Sequence, residues 1–337
     1  FINGPEVHSF ESNLAEYLKS EHVIACANGT DALQIAMMAL ELKPGDEVIV
    51  PAFTYAATAE VVGLLGLVPV LVDVDIRTFN IKAEDIENAI SPKTKAIVPV
   101  HLFGQGAHME MIMQIAAKHS LYVIEDNVQA LGATYTYEDG TRKHFGTIGH
   151  IGCTSFFPTK NLGCYGDGGA IFTQDSVLAE RIRMVTDHGQ RVKYYHDIIG
   201  CNSRLDTIQA AILDIKLRHL DEYSAARYEA AQRYKDLLKG VNGITLPEEA
   251  PYSAHVYHQF TIQADGVREE LRSHLAKSGI SSMIYYPMSL NKQKAFASIS
   301  RIGANLDNSE KLASSVLSLP MHTELTPQIQ EDRKSVV

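Results

Sequence analysis

The feature that most constrains this chain is a regular alternation of short apolar runs with amphipathic helical stretches through more than half its length. Val48-Ile49-Val50, Val68-Pro69-Val70-Leu71-Val72 and Ala96-Ile97-Val98-Pro99-Val100 are unbroken β-rich runs, the pattern of strands buried on both faces. The runs predict strands near 22–27, 46–51, 68–73, 95–100, 121–125, 151–157 and 169–173. Apolar residues at helical spacing predict helices near 6–20, 30–41, 55–65, 83–90, 108–119 and 175–187. The roughly 25-residue spacing is that of crossover units, so the expected fold is α/β, a mostly parallel seven-stranded sheet between helices.

From about 205 to 238 the pattern changes to one long helical stretch with Ile208, Ala211, Ile212, Ile215 and Leu220 on one face. Beyond it, 256–262 and 282–286 read as strands and 267–277 as a helix. The expected division is a large domain over 1–219 and a smaller C-terminal α/β domain over 220–337 that includes the connecting helix.

Open sheets of this kind bind ligands beyond the carboxyl ends of their strands. Asn28-Gly29-Thr30-Asp31 follows the first predicted strand, Pro51 to Tyr55 the second, His101 the fourth, Glu125 to Gln129 the fifth and Ser155 to Lys160 the sixth. Segments far apart in sequence therefore converge on one rim.

Lys160 is the rim residue that most needs a reason. Lysine is strongly hydrated and seldom buried, so one set between apolar runs and ahead of Gly163, Gly166, Gly168 and Gly169 is either a loop cation or an amine for covalent chemistry. Gly29 and Thr30 sit at a helix start, where free N–H groups and the helix dipole favour a phosphate; capping by Thr30 or Asp31 is the plainer alternative. Ser155 offers a hydroxyl to the same anion. Asp126 ends an apolar strand, where a carboxylate is costly unless it meets a cation or a donor. A protonated ring nitrogen or an ordinary ion pair would serve, and Gln129 faces the same side if the segment turns helically.

Other chemistries fit poorly. The glycine series is not spaced G-x-G-x-x-G and opens a strand rather than a helix, and Lys160 precedes the glycines, against a P-loop. His144 with His150, and His188 with His196, lack i, i+4 spacing and an acidic partner, so no metal site is expected. No G-x-S-x-G elbow occurs. Lys plus Arg number 30 against 40 Asp plus Glu, and a formal charge of -10 argues against nucleic acid as a partner. The most apolar stretch, Ala56 to Val74, is broken by Glu60, Pro69 and Asp73, so no membrane span is expected. Cys26, Cys153, Cys164 and Cys201 are widely spaced, which suits reduced thiols and a cytoplasmic location. The chain opens at Phe1 rather than methionine, and a further N-terminal segment is expected ahead of it.

A lysine amine, a strand-end aspartate, a helix-start phosphate cradle with a second hydroxyl, and an aromatic on the second loop match the needs of one cofactor, pyridoxal 5'-phosphate. Lys160 would bond covalently to it, which requires a deprotonated amine. Asp126 would hold the proton on the pyridine nitrogen and keep the ring an electron sink. Thr30, Gly29 and Ser155 would anchor the phosphate, Tyr55 would stack on one ring face and Val128 would close the other.

At these residues the sequence resembles the DegT-type sugar aminotransferases, a fold type I family that uses pyridoxal phosphate. The resemblance covers nearly the whole chain: Phe1-Ile2-Asn3-Gly4-Pro5, Asn28-Gly29-Thr30-Asp31-Ala32-Leu33, Gly45-Asp46-Glu47-Val48, Glu125-Asp126, Gln129, Lys160-Asn161-Leu162, Gly166-Asp167-Gly168-Gly169 and Asn202-Ser203-Arg204-Leu205-Asp206. It implies a homodimer with a shared active site, Asn202 reaching the phosphate of the neighbouring subunit's cofactor, glutamate as amino donor and a nucleotide-linked keto-sugar as acceptor. It also implies Arg204, Tyr285 and Tyr286 as substrate contacts; pairing of Arg204 with Asp206 and core packing of the tyrosines are the structural alternatives. Within the family, the turn from Ser155 to Gly163 is most similar to enzymes that aminate C3 of a UDP-linked 2-acetamido-3-keto uronic acid for surface polysaccharide, whereas dTDP-sugar relatives carry a different turn before the lysine. Asn127 and Val128 replace two alanines usual in relatives, Tyr285 stands where histidine is often found, and Asn291-Lys292-Gln293 replaces a more apolar stretch. The alternatives are a dTDP-keto-sugar aminotransferase, a pyridoxal-phosphate sugar dehydratase and a non-catalytic regulator of the same fold. Dehydratases carry histidine at the Lys160 position, and intact Lys160, Asp126, Gln129 and Ser155 argue against a regulator.

Overall fold

The computed structural model describes residues 2–334, with side chains to residue 331; Phe1, where the first family motif begins, lies outside the described residues. The alternation is present: α1 (Pro5–Leu18), β1 (His22–Cys26), α2 (Gly29–Ala39), β2 (Glu47–Pro51), α3 (Ala57–Leu64), β3 (Val68–Val72), α4 (Ala83–Ala89), β4 (Thr94–Ile97), α5 (Met109–His119) and β5 (Tyr122–Asp126). A small hairpin, β6 (Thr134–Thr136) and β7 (Arg142–His144), precedes β8 (Ile151–Ser155), β9 (Gly169–Thr173) and α6 (Ser176–Thr186). Strand side chains alternate between faces, and the sheet uses both. Val48, Val50 and Leu71 enter a core with α2, α3 and α6, while Ile49, Val70 and Val72 enter a second core with α4 and α5. Unbroken apolar runs are what two covered faces demand.

A second hairpin, β10 (Gln190–Val192) and β11 (Tyr195–His196), leads to two helices, α7 (Thr207–Leu217) and α8 (Leu220–Leu238), where the sequence predicts one. No glycine or proline marks the break. Packing makes it: α7 and Leu220 join Phe10, Leu14 and Leu18 of α1, whereas Ala230, Ala231, Tyr234 and Leu238 serve a separate core with Phe260, Ile262, Leu275, Leu317 and Leu319. The chain must turn between two cores, and tertiary burial overrides local propensity.

The last third adds β12 (Ser253–Ala254), β13 (Phe260–Gln263), α9 (Arg268–Lys277), β14 (Arg301–Ile302), α10 (Asp307–Ser315), β15 (Val316–Leu319) and α11 (Pro327–Lys334). β13 pairs antiparallel with β15, and β12 extends the β6–β7 hairpin. The chain also returns to the first core through Leu290, Phe296 and Leu306. The main sheet has eight strands, not seven, in the order β1-β9-β8-β5-β4-β2-β3-β14, parallel except where β9 runs against β1 and β8. The eighth, β14, is two residues long, too short to leave a pattern in sequence. Asp73, just past β3, holds the start of α10 to the end of that strand by accepting from the N–H groups of Asn308 and Ser309 at 3.0 and 2.8 Å, a helix end that favours negative charge.

Two predicted strands are corrected. Within 256–262 only Phe260 onward is strand; Val256 and Gln259 donate instead to the carbonyls of Gly104 and Phe103, and the Arg227 guanidinium takes the carbonyls of Tyr257 and His258. Over 282–286 there is a single bridge, Met283 to Ser318. Tyr285 and Tyr286 both face one cavity, which consecutive residues of a strand cannot do. Among the described residues no helix is long and apolar enough to cross a membrane.

Candidate active site

The carboxyl ends of β1, β2, β5 and β8 open onto a cavity of about 540 Å³. Gly29, Thr30, Tyr55, Asp126, Val128, Gln129, Ser155, Lys160, Tyr285 and Tyr286 all line it. The sheet supplies its floor and the chain after residue 250 its far wall.

At one end lies the start of α2. Its N-cap is Asn28, whose side chain accepts from the Asp31 N–H at 2.8 Å, rather than Thr30 or Asp31. Thr30 is thereby left free to face the cavity, and the first-turn N–H groups of Gly29 and Thr30 have no acceptor within the helix. A Cβ at Gly29 would stand 2.7 Å from Ser155 Cβ and 3.2 Å from Val128 Cγ1, so only glycine lets the helix start close on both. Ser155 Oγ accepts from the Phe157 N–H at 3.2 Å, which leaves its O–H to donate. Two hydroxyls and a helix terminus thus converge on a small volume that suits an anion.

Deeper in, Asp126 ends β5 and is almost wholly buried. Its Oδ2 accepts from Thr58 Oγ1 of α3 at 2.8 Å, while Oδ1 has only a long 3.4 Å contact from the Val128 N–H. Burial pushes this carboxyl above its ordinary range; the Thr58 and Val128 hydrogen bonds and the Lys160 charge oppose that. Burial also pushes the Lys160 amine below its ordinary value, against the attraction of Asp126. A cation beside Oδ1 would offset the carboxylate's desolvation, which amounts to several kcal/mol. Glu125 points to the opposite side of β5 and accepts from the N–H groups of Gly146, Ile148 and Gly149 and from His101 Nε2 at 2.8 Å. His101, placed on the rim by the sequence, is fully buried behind it.

Gln129 is a bridge. Its Oε1 accepts from the Phe103 N–H at 2.7 Å and its Nε2 donates to Tyr286 Oη at 3.1 Å. The Tyr286 ring lies 6.0 Å from that of Tyr55 and 6.1 Å from that of Phe53, and the tyrosine pair both lines the cavity and packs against a core that includes Phe53. Asn127 turns away, donating to the Phe145 carbonyl at 2.9 Å, and Val128 alone of that pair reaches the cavity.

Asn202 and Arg204 are not brought to this cavity. Asn202 is exposed and bridges to Asp187, and among the described residues Arg204 forms no ion pair with Asp206. Ser203 between them is buried, donating to Asp31 Oδ2 at 2.6 Å and accepting from the Ala27 N–H at 3.0 Å, which fixes the loop to the start of α2. Sequence reasoning misses Thr58, Asp167 and His258, which also line the cavity. Nothing marks Thr58, a threonine in an apolar helix, and His258 sits in what reads as a strand. The glycines of the hairpin serve chain packing: a Cβ at Gly169 would stand 2.5 Å from the Asn28 carbonyl carbon.

The donor set fits pyridoxal phosphate: an anion cradle at one end, an amine with a lowered proton affinity, and a buried carboxylate oxygen without a close donor at the other. Comparison with known proteins agrees. The whole chain, residues 1–337, matches the model of the DegT/DnrJ/EryC1/StrS aminotransferase family. It is 48% identical over 325 residues to the UDP-2-acetamido-2-deoxy-3-oxo-D-glucuronate aminotransferase of Pseudomonas aeruginosa, covering 96% of this chain and 88% of that protein. It is 47% identical over 333 residues to a pleiotropic regulatory protein of Geobacillus stearothermophilus, covering 98% and 88%. Among solved structures, an aminotransferase of this family from Brucella abortus superposes with a TM-score of 0.94 at 44% identity, over 100% of this chain and 90% of that one. NtdA from Bacillus subtilis, solved with bound cofactor PMP, superposes with a TM-score of 0.90 at 36% identity, over 99% of this chain and 77% of that one. The chain belongs to the DegT/DnrJ/EryC1/StrS aminotransferase family and is a fold type I, pyridoxal-phosphate-dependent aminotransferase.

Proposed function

We propose that the chain moves an amino group from glutamate to a nucleotide-linked keto-sugar, C3 of a UDP-linked 2-acetamido-3-keto uronic acid, in the making of a surface polysaccharide. The observation that carries the reading is the meeting of Lys160, Asp126 and the α2 anion cradle in one cavity. The printed activity of the Pseudomonas relative supports the sugar. We further propose a cytoplasmic homodimer whose subunits share active sites, with the exposed Asn202 directed to the partner's cofactor phosphate and Arg204 to the substrate.

When bound, pyridoxal phosphate supplies an electron sink for the carbon that loses its proton. The residues do the rest. Gly29 and Thr30 at the start of α2, with Ser155, hold the phosphate and fix the ring's position along the cavity. Asp126 Oδ1 would take the pyridine N–H, while Thr58 keeps the other oxygen occupied and the carboxylate in one orientation. Tyr55 and Val128 would hold the ring between them, and Gln129 fixes Tyr286 in the cavity wall. Lys160, with its amine free, would carry a proton between the α-carbon of glutamate and C4′ of the cofactor. Its lowered proton affinity favours the free base that this step needs.

The test is mass spectrometry of products from a panel of UDP- and dTDP-linked keto-sugars with glutamate. An aminated UDP-keto uronic acid is expected. Amination confined to dTDP-sugars would move the substrate to the dTDP class, and a deoxygenated product would make the protein a dehydratase. The Geobacillus relative's name favours a second reading, a regulator; bound cofactor inert to glutamate across the panel would establish it.

Thr58→Val is expected to lower kcat by about 10- to 100-fold with KM for glutamate unchanged, since a hydrogen bond to a charged group contributes about 1.5–3 kcal/mol. Thr58→Ser should restore the rate. Steady-state kinetics of both variants check this, and an unchanged kcat in Thr58→Val would remove Thr58 from the positioning of Asp126.

A further inference from the structure

His258 is a buried imidazole in the wall of the cavity that none of the steps above uses. Its Nδ1 is shielded from solvent and has no hydrogen-bond partner. Such a nitrogen in a polar site is uncommon and calls for a role. The ring is held at a fixed place relative to Lys160. Asn161, the residue after the lysine, is buried and donates through Nδ2 to the Val256 carbonyl at 3.0 Å. Two residues on, the Arg227 guanidinium takes the carbonyls of Tyr257 and His258 at 3.2 and 3.4 Å, and the Gln259 N–H donates to Phe103 at 3.2 Å. The turn that carries Lys160 and the segment that carries His258 are thus stapled to each other, to α8 and to the turn after β4.

Burial first, then Lys160 and Arg227, push His258 well below its ordinary value. A neutral imidazole presents one N–H and one lone pair. Toward an amine that lines the same cavity, the lone pair is the useful half.

We propose that His258 is a positioning residue for Lys160, a neutral imidazole that accepts a hydrogen bond from the lysine amine while that amine is free of the cofactor. One N–H of the amine is then engaged by the ring, and the nitrogen's own lone pair is left aimed at the donor's α-carbon. The role acts through the lysine rather than on substrate, and it rests on the reading of Lys160 as the proton carrier.

The test compares His258→Leu and His258→Gln with wild type in single-turnover reactions with glutamate and [2-²H]glutamate, with bound cofactor followed by its visible absorbance. His258→Leu is expected to retain cofactor and glutamate affinity while proton transfer slows by about 10- to 100-fold, the scale on which misplacement of a catalytic group acts. Its deuterium isotope effect should rise above that of wild type. His258→Gln, which keeps an acceptor, should recover most of the rate and the wild-type isotope effect. A merely structural role would lower cofactor retention and melting temperature together and leave the isotope effect alone. In wild-type protein carrying ¹⁵N-histidine, one unprotonated imidazole nitrogen should shift when glutamate frees the lysine, and that signal should be missing in His258→Gln. A wild-type rate in His258→Leu, or no such shift in wild type, overturns the proposal. If Lys160→Ala itself turned over normally, the reading beneath the proposal would fall instead, so the two failures are distinct.

Discussion

Lys160→Ala is expected to lose glutamate-dependent transamination by about 10⁴-fold or more, because one substitution removes both the covalent attachment point and the proton carrier. Cofactor binding should survive, since on the proposed reading the helix terminus, Ser155 and Asp126 would contact other parts of the cofactor. Lys160→Arg should be equally inactive. It keeps the positive charge, but a guanidinium does not give up its proton near neutral pH, and the free-base form that burial favours at Lys160 is lost. Borohydride should attach the cofactor permanently to the wild-type chain, and peptide mass mapping should find the adduct on the peptide bearing Lys160 and on no peptide of the alanine variant. A small primary amine added to the alanine variant should return part of the rate, because the missing group is then supplied from solution. Full turnover by Lys160→Ala, or an adduct on another lysine, would sink the assignment.

Why the sheet could be read from the sequence while parts of the site could not is a matter of where the determining forces lie. Val48 to Val50 and Val70 to Val72 alternate between two cores, so every residue in those strands is apolar and the run announces itself. Asp126 is legible for the opposite reason: a carboxylate closing such a run conflicts with burial, and the conflict marks a site. The α2 start is legible as an anion site, yet Asn28 and not Thr30 or Asp31 caps the helix. Capping choice depends on how the preceding residue leaves the strand, which sequence alone does not contain. Thr58 carries no signal because it gains its meaning from one partner far along the chain, Asp126, and His258 carries none because only the fold brings it to the cavity that Lys160 lines. The same holds for the break between Leu217 and Leu220, where no residue disfavours helix and the turn comes from two cores pulling in different directions.

Tyr285 and Tyr286 show a further limit. Read locally, five residues of mixed aromatic and β-branched character suggest a strand, and a strand would send one tyrosine into the cavity and the other away from it. The structure directs both inward, where Gln129 holds Tyr286 through a 3.1 Å bond. A cavity wall built from two adjacent rings is available only to irregular backbone, and irregular backbone is what pattern reading resolves least well. The family resemblance placed these residues at the site where periodicity placed them in a sheet.

Asp126→Asn is expected to lower kcat by about 10²- to 10³-fold, the cost of removing one charge-stabilising group from an enclosed site. The substitution is close to isosteric, so the shape of the cavity and the packing of α3 on the sheet should persist. The Thr58 hydroxyl can still donate to the amide oxygen, and the side chain's NH2 then points toward the place where the pyridine nitrogen binds. That reverses the hydrogen bond: a donor faces a nitrogen that must now be an acceptor, the ring loses its proton, and its power to hold negative charge falls. The visible absorbance of bound cofactor should therefore change with Asp126→Asn even before glutamate is added. Asp126→Ala should be as slow and also less stable, by about 1–3 kcal/mol, because the buried Thr58 hydroxyl is left without its acceptor. Thermal melting separates the two variants and single-turnover kinetics joins them. An Asp126→Asn protein that turned over at the wild-type rate, with an unaltered cofactor spectrum, would show that the carboxylate serves only Thr58 and the fold.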